Sequence, residues 1–222
     1  MCGRYTLSSA SEIVAEVFEL TEPPDLVPRY NIAPTQTAPV VLLDGSTGER
    51  SLRPMRWGFI PSWAKDPKIG ARMINARAET VAKKPSFRNA FRHWRCLVVA
   101  DGFYEWTKSD NGKRPYHIRV RDGGPFAFAG LWTRWSTSGG ANVDSYTIIT
   151  TEPNELTATL HHRMPVILHQ RDYAAWLDPE EHADATLAAL LRPYASEGME
   201  AYPVATLVNS PSHDAPDCAQ RC

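Results

Sequence analysis

Apolar positions recur at helical spacing only in short stretches of this chain. Ile13, Val14, Val17 and Phe18 share one face of a predicted helix that Ser9 or Ser11 can cap and that runs to about Leu20. Phe87, Ala90, Phe91 and Trp94 repeat the spacing in PSFRNAFRHW, and RDYAAWLD and EEHADATLAALLRP read as further helices. Strand-like runs are more numerous. APVVLLD closes at an Asp44-Gly45 turn, and RCLVVADGFYEW turns at Asp101-Gly102. RPYHIRV, FAFAGLW, SYTIITTE and AYPVATLV follow, β-branched or aromatic and separated by Gly-containing turns. Two segments break both periods. TEPPDLVPRYNIAPTQ is too Pro-rich for regular structure. RPMRWGFIPSWAKDPKIGARMINARAET, broken by Gly58, Pro61, Pro67 and Gly70, reads as a long irregular loop bearing Trp57, Phe59 and Trp63. Such an aromatic and basic loop reads as a binding surface. Many strands, few helices and no βαβ alternation predict an α+β fold: one compact domain over residues 1–222, with a β-rich antiparallel core and a few peripheral helices.

Composition narrows the classes. Apolar residues make up 43% and charged residues 22%, which is globular and not disordered. No apolar run reaches the ~18 to 20 residues of a membrane span, and MCGRYTLSSA has no apolar core of a secretory signal. The four cysteines, Cys2, Cys96, Cys218 and Cys222, contain no C-x-x-C pair. Neither a zinc ribbon nor a disulfide scaffold fits, so no metal or other cofactor and a reducing cytoplasmic location are expected.

The net charge of −1 hides an asymmetry. Between Arg50 and Arg95 stand twelve Lys or Arg and two acids, a local balance of +10. Between Asp172 and Glu200 stand seven acids and one Lys or Arg. Two solvated faces of opposite sign account for this, and so does a basic groove for a polyanion.

Four stretches carry candidate chemistry. Cys2 exposes a 1,2-aminothiol once Met1 is removed, with reference pKa values of about 8 and about 8.5 for amine and thiol. Such a pair condenses with an aldehyde: the amine forms an imine and the thiol adds to it, closing a thiazolidine. INARAET sets Asn75, Arg77 and Glu79 at alternate positions, on one face if the segment is a strand. In ADGFYEW, Glu105 lies between Tyr104 and Trp106; there it is either a desolvated acid–base group or an outward-facing residue. In LHHRMPVIL, His161 and His162 cannot point the same way on regular backbone, so one acts at most; without a second ligand cluster they do not make a zinc site. P-loop, G-x-G-x-x-G, G-x-S-x-G and H-E-x-x-H motifs are all missing.

Taken together and in order, MCGRYTL, RYNIAPTQ, RWGFIPSWA, INARAET, ADGFYEW and HHRMPVIL resemble the SOS-response-associated peptidase (SRAP) family, and the likeness runs on to PVATLVNSPSHDAP. The resemblance implies a compact α+β protein that recognises abasic sites in single-stranded DNA and traps them covalently through its N-terminal Cys. It implies Cys2, Asn75, Glu105 and His161 as catalytic residues, with His162 at the variable position of H-x-R-M-P. It implies Arg4, Arg77, Thr150 and Arg163 as DNA-backbone contacts, and Pro34 and Trp63 as lying in segments that pack against bases. Ala64 stands where some members carry a second aromatic. The implied partner is abasic single-stranded DNA, bound by a cytoplasmic, nucleoid-associated monomer with no membrane role. Self-processing at Met1 is the peptidase activity it implies. Two alternatives stay open: an N-terminal-nucleophile amidohydrolase using Cys2, and a non-catalytic single-strand binder. Cys96, Cys218 and Cys222 have no assigned role.

Overall fold

Strands dominate the computed structural model, which describes residues 2–109, 112–137, 139–180 and 184–222. In chain order they are β1 (Tyr5–Leu7), β2 (Arg29–Ile32), β3 (Thr37–Leu43), β4 (Arg50–Trp57), β5 (Asn75–Arg77), β6 (Arg95–Ala100), β7 (Gly102–Ser109), β8 (Gly112–Val120), β9 (Phe126–Ser136), β10 (Asn142–Thr151), β11 (Met164–Pro165), β12 (Ile167–Leu168) and β13 (Met199–Pro203). Six short helices flank them: α1 (Ser11–Phe18), α2 (Ala78–Val81), α3 (Arg88–His93), α4 (Glu155–Ala158), α5 (Tyr173–Leu177) and α6 (Asp184–Ala189). The expected α+β class with an antiparallel β-rich core is observed.

Five strands close on themselves. β3 pairs with β4 and β6, β6 with β9, β9 with β10, and β10 with β4. Every pairing is antiparallel except β10 with β4. Closure leaves the ring without a free edge. A second, wholly antiparallel sheet runs β13-β8-β7-β1-β2. One apolar cluster joins the two and contains Tyr5, Trp57, Phe128 and Tyr146. β6 is buried at all six positions, because it lies in the ring wall with helices packed outside it. The Trp176 indole N–H donates to Cys96 O at 3.0 Å, tying α5 to that wall. Arg95, also buried, donates to carbonyls at the ends of α3 and α5, among them Phe91 O at 2.9 Å. A cation that closes two helix C-termini is well placed for their dipoles.

Several sequence expectations change on contact with tertiary structure. The Pro-rich segment contains β2, which the chain's own tail holds in place. Asp214 accepts from the backbone N–H of Asn31 at 2.9 Å and from the Arg29 side chain, and buried Asn31 donates from Nδ2 to Ser210 O and His213 O. The first five residues of the expected irregular loop belong to β4, and Trp57 and Phe59 are core, leaving Trp63 as the exposed aromatic of that segment. Neither Ser9 nor Ser11 caps α1; Ser8 and Ser9 instead bind the Asp101 carboxylate. Of EEHADATLAALLRP, residues 181–183 lie outside the described ones, and the helix observed begins at Asp184.

His117, on β8, is a buried titratable group of the second sheet. Its ring lies between Thr6 Oγ1, at 3.3 Å, and Tyr202 OH, at 3.0 Å. Gly102 makes the room: a Cβ there would sit 2.4 Å from His117 Nε2. Burial, helped by the Arg119 charge, pushes the His117 pKa down to about 4. The unfolded chain therefore binds a proton between about pH 6.5 and 4 that the folded chain refuses. Stability present above pH 6.5 should fall as pH is lowered through that window, by an order of magnitude of 3 kcal/mol (~1.4 per pH unit). Urea midpoints at pH 7 and pH 4.5 check this: the drop should shrink in His117→Asn, and an equal drop in both proteins excludes His117 as its source.

Candidate active site

β10 continues past the end of β4, and a second short strand takes the vacated flank. β4 leaves at Trp57, and Gly58, at φ +128°, donates its N–H to Tyr146 O at 2.8 Å. The chain then makes an excursion and returns as β5, parallel to β10, with Asn75 opposite Ile148 and Arg77 opposite Thr150. The neck of the excursion is pinned by backbone contact. A Cβ on Gly70 would sit 2.5 Å from Gly58 O, and Phe59 N–H donates to Met73 O at 3.2 Å. Only glycine allows backbones this close. The Trp57 indole N–H donates to Ile74 O at 2.9 Å and so fixes the residue before Asn75.

The N-terminus arrives from the other sheet. β1 pairs with β7 in the register Tyr5↔Phe103 and Thr6↔Gly102, and Tyr104 N–H donates to Arg4 O at 3.0 Å. Extending that register puts Glu105 opposite Gly3. Cys2 is fully buried, and Asn75 Nδ2 donates to its carbonyl oxygen at 2.8 Å. Asn75 Oδ1 is also buried and accepts no hydrogen bond among the described residues. The Tyr5 and Tyr146 hydroxyls share a 2.6 Å hydrogen bond, and burial pushes both of them up.

Burial sets the protonation here. Burial first, and Glu105's charge second, push the Cys2 thiol far above its ordinary range. It is therefore a neutral thiol at pH 7, unlike the freely titrating one that the sequence suggests. Glu105 is 3% exposed, which rules out the outward-facing alternative. Burial is the largest influence on its carboxyl and pushes it up. A carboxylic acid raised toward neutrality can both give and take a proton.

The two histidines also depart from expectation. Their rings lie face to face at 4.2 Å, because the backbone between α4 and β11 is irregular there and does not force them apart. His161 is half-buried, and its Nδ1 lies 3.1 Å from the Arg163 backbone N–H and 3.2 Å from Arg163 O. His162 is exposed.

The remaining sites divide into two groups. Arg163 makes a two-pronged ion pair with Glu79, at 2.6 and 3.0 Å, and donates to Thr150 O at 2.6 Å. Buried Thr150 donates through Oγ1 to Ala76 O at 3.4 Å, and Arg77 is exposed at the end of β5. Glu79 lies in α2, so Asn75, Arg77 and Glu79 do not share a strand face; the helix turns Glu79 toward Arg163. Arg4, Pro34 and Trp63 stand apart from these. Arg4 donates to Asn31 Oδ1 and Val208 O, at 2.8 and 2.6 Å. Pro34 precedes Thr35, which has φ +70° and donates its N–H to Trp57 O at 2.8 Å. Trp63 is 62% exposed. Ala64 is buried, with its carbonyl accepting from the Trp135 indole at 2.7 Å, so this position cannot present a second aromatic to solvent.

A cavity of about 770 Å³ beside Leu20, Arg50 and Asp178 touches none of these candidate residues. Near the tail, the ligand atoms of His213, Asp217 and Cys218 lie within 4.8 Å of one another. His213 is hydrogen-bonded to Asp217 at 2.8 Å there, and the Cys218 thiol donates to His213 O at 3.5 Å.

The sequence pattern of the SOS response associated peptidase (SRAP) family matches residues 1–211. The chain belongs to this family. The abasic site processing protein YoqW of Bacillus subtilis is 45% identical over 98% of both chains. The chicken abasic site processing protein HMCES is 35% identical over 86% of this chain and 65% of its own. A crystal structure of a Bacteroides thetaiotaomicron protein superposes with a TM-score of 0.88 at 31% identity, covering both chains completely. The SRAP fold thus brings Cys2, Asn75 and Glu105 together from three distant segments. Sequence reading missed the Tyr5–Tyr146 pair and the Glu79–Arg163 pair. Neither has a local signature, since each joins residues more than 80 positions apart.

Burial also predicts thiol reactivity. Cys2, Cys96 and Cys218 are buried and Cys222 is exposed. In the folded chain that retains Met1, alkylation should modify one thiol rapidly, and Cys222→Ser should abolish that fast phase. Rapid labelling of Cys2, read by peptide mass, contradicts the closed geometry.

Proposed function

We propose that this SRAP-family protein recognises abasic sites in single-stranded DNA and traps them covalently on Cys2 after Met1 is removed, acting as a lyase-like DNA-processing protein of the cytoplasm. The observation that carries the reading is the buried cluster around Cys2: its carbonyl held by Asn75 and its thiol within the field of buried Glu105. The names of YoqW and HMCES support the same substrate class.

The chemistry follows from protonation states. With Met1 gone, the Cys2 α-amine adds to C1′ of the ring-opened deoxyribose. Protonated Glu105 delivers a proton to the carbinolamine oxygen, which leaves as water and yields the imine. The neutral Cys2 thiol then adds across the C=N bond. Sulfur bonds to C1′ of the protonated imine, the thiol proton goes to the Glu105 carboxylate, and the C=N electron pair returns to the nitrogen, which keeps the proton it already carries, closing the thiazolidine. A raised thiol pKa suits this order: the amine reacts first, and the thiol needs a base only in the second step. Asn75 Oδ1, buried and unpartnered, is the acceptor that aims the amine or the sugar hydroxyl. His161, half-buried, assists sugar opening or release. A normal base would occupy the space the nucleophiles need, so the missing base is the recognition feature.

Arg77, Arg163 and Thr150 line one edge of this cluster and suit phosphate. Arg4 acts through Asn31 and the tail, holding β1 in place beside them. Pro34 and Trp63 present the surfaces for neighbouring bases. A single protomer contains every residue invoked.

Adduct assays with abasic single-stranded DNA test the reading. Cys2→Ala should abolish the adduct that survives denaturation without reductant, and an undiminished yield of stable adduct refutes it. Glu105→Gln should slow both formation and release, by about 10² to 10⁴-fold. His161→Ala should slow chiefly ring opening or release, while His162→Ala changes little; the reverse ranking moves the role to His162. For charge, Arg77→Ala should weaken single-strand binding at every sequence and flatten its salt dependence by about one contact. Glu79→Gln should strengthen binding at low salt, because Arg163 then has no internal carboxylate to surrender. Unchanged affinities in both variants place the phosphate path elsewhere.

A further inference from the structure

Near the end of the chain three side chains of different donor type converge. His213, Asp217 and Cys218 bring one ligand atom each to within 4.8 Å of one another, and among the described residues they are the one group of three His, Cys, Asp or Glu that does so. The stretch reads HDAPDC, and no C-x-x-C pair announces it. A single 3-10 turn makes the arrangement. Pro216 opens the turn Pro216–Ala219, Cys218 N–H donates to Ala215 O at 3.0 Å, and Asp217 is carried back beside the ring of His213.

The turn is anchored at both ends. Buried Asn31 donates from Nδ2 to His213 O at 2.7 Å, and Tyr202 OH donates to Ala219 O at 3.1 Å. Cys218 is fully buried and packs with Tyr104, Tyr202, Val204 and Val208. The His213 and Asp217 side chains are 36% and 44% exposed. A soft sulfur donor thus forms the floor, and two harder donors stand at a mouth open to solvent, which is an entry path.

The distances suit one small ion. His213 Nε2 and Asp217 Oδ1 are 2.8 Å apart and bonded to each other. Zinc bonds of ~2.0 to 2.3 Å in a tetrahedron set N, O and S donors about 3.3 to 3.6 Å apart. The His213–Asp217 pair therefore has to open by about half an ångström, and the pair has to approach the sulfur by about an ångström at most. Both moves fall on the two exposed side chains. The Cys218 thiol donates to His213 O at 3.5 Å, a weak bond that a metal–sulfur bond replaces. Asp214, between them in sequence, is engaged elsewhere: it accepts from Asn31 N–H and from the Arg29 side chain. Mixed nitrogen, oxygen and thiolate donors suit a borderline-soft divalent ion.

We propose that His213, Asp217 and Cys218 form a Zn²⁺ site with one coordination position open to water. On binding, the Cys218 S–H bond breaks and its proton passes to solvent while sulfur bonds to the metal; His213 and Asp217 exchange their mutual hydrogen bond for bonds to the same ion. Nothing is oxidised or reduced. The ion would lock the segment that clasps β2. His213 O is held by Asn31, and Asn31 Oδ1 accepts from Arg4 at 2.8 Å, so stiffness at the metal reaches the start of β1 through two hydrogen bonds. The site uses none of the residues assigned to the abasic-site chemistry, and either reading stands if the other fails.

The test uses the full-length protein, stripped with EDTA, kept reduced with a phosphine and titrated with Co²⁺ as a spectroscopic probe. Wild type should saturate at about one equivalent, with a thiolate-to-cobalt charge-transfer band and the intense visible bands of a four-coordinate ion, all removed by added Zn²⁺. Cys218→Ser should abolish the charge-transfer band. His213→Gln and Asp217→Asn, at the exposed mouth, should each weaken cobalt binding by more than about tenfold. Cys222→Ser should leave the titration unchanged. Zn²⁺ at about 100 times its Kd should raise the thermal midpoint of wild type by about 5 to 10 °C and that of Cys218→Ser far less. Absence of the thiolate band in wild type overturns the site, as does a band that survives Cys218→Ser or disappears in Cys222→Ser. If Cys218→Ser does not fold, the two mouth variants decide: undiminished cobalt affinity in both overturns the proposal.

Discussion

One strand, β10, carries most of the constraint in this molecule. It closes the five-strand ring with β9 and β4, then goes on to receive β5 and β11 beyond the point where β4 departs. Closure leaves the ring no free edge to slip. Residues attached to β10 therefore inherit a fixed position: Asn75 and Arg77 through β5, Thr150 on the strand itself, and Arg163 through its bond to Thr150 O. The chemistry at Cys2 depends on this ring, although Cys2 belongs to the other sheet.

The meeting of the two sheets explains why the site is buried and not a cleft. β1 pairs with β7 on one side and leans on the ring through Tyr5, whose ring packs at 5.2 Å on Trp57 and whose hydroxyl bonds Tyr146. Trp57 in turn holds Ile74, and Asn75 holds Cys2. The loop of contacts is closed, so no member can move alone. Burial then shifts the Cys2 thiol and the Glu105 carboxyl in the same direction, toward their protonated forms.

Charge is partitioned in the same economical way. Of the basic run, Arg95 closes helix ends and Arg50 and Arg92 pair with acids, while Lys65, Lys68, Arg72, Lys83, Lys84 and Arg88 are exposed. Arg163 is intermediate: its side chain is largely covered, and its charge is met by a half-exposed Glu79. A phosphate would have to compete with that carboxylate, which makes binding there conditional on the strand arriving with other contacts already made.

The sequence alone determined the fold class, because β-branched and aromatic runs divided by turns leave little choice but an antiparallel core. It also singled out candidate site residues, since Cys2, the INARAET stretch, Glu105 and the H-x-R-M-P stretch are legible as strings. It misjudged what depends on partners far along the chain. Segments 29–32 and 50–57 became strands, the first despite the prolines on either side of it and the second despite Pro54, because Asp214 and β3 supplied hydrogen bonds that no local window contains. Trp57 and Phe59 became core, and of the three aromatics in that segment only Trp63 reached solvent. Protonation followed the same rule. The reference values for the Cys2 thiol and Glu105 are properties of exposed groups, and only packing against Tyr5, Tyr146 and Asn75 decides how far burial moves them. Local propensity and residue chemistry act over a few positions; desolvation and strand closure act over the whole chain.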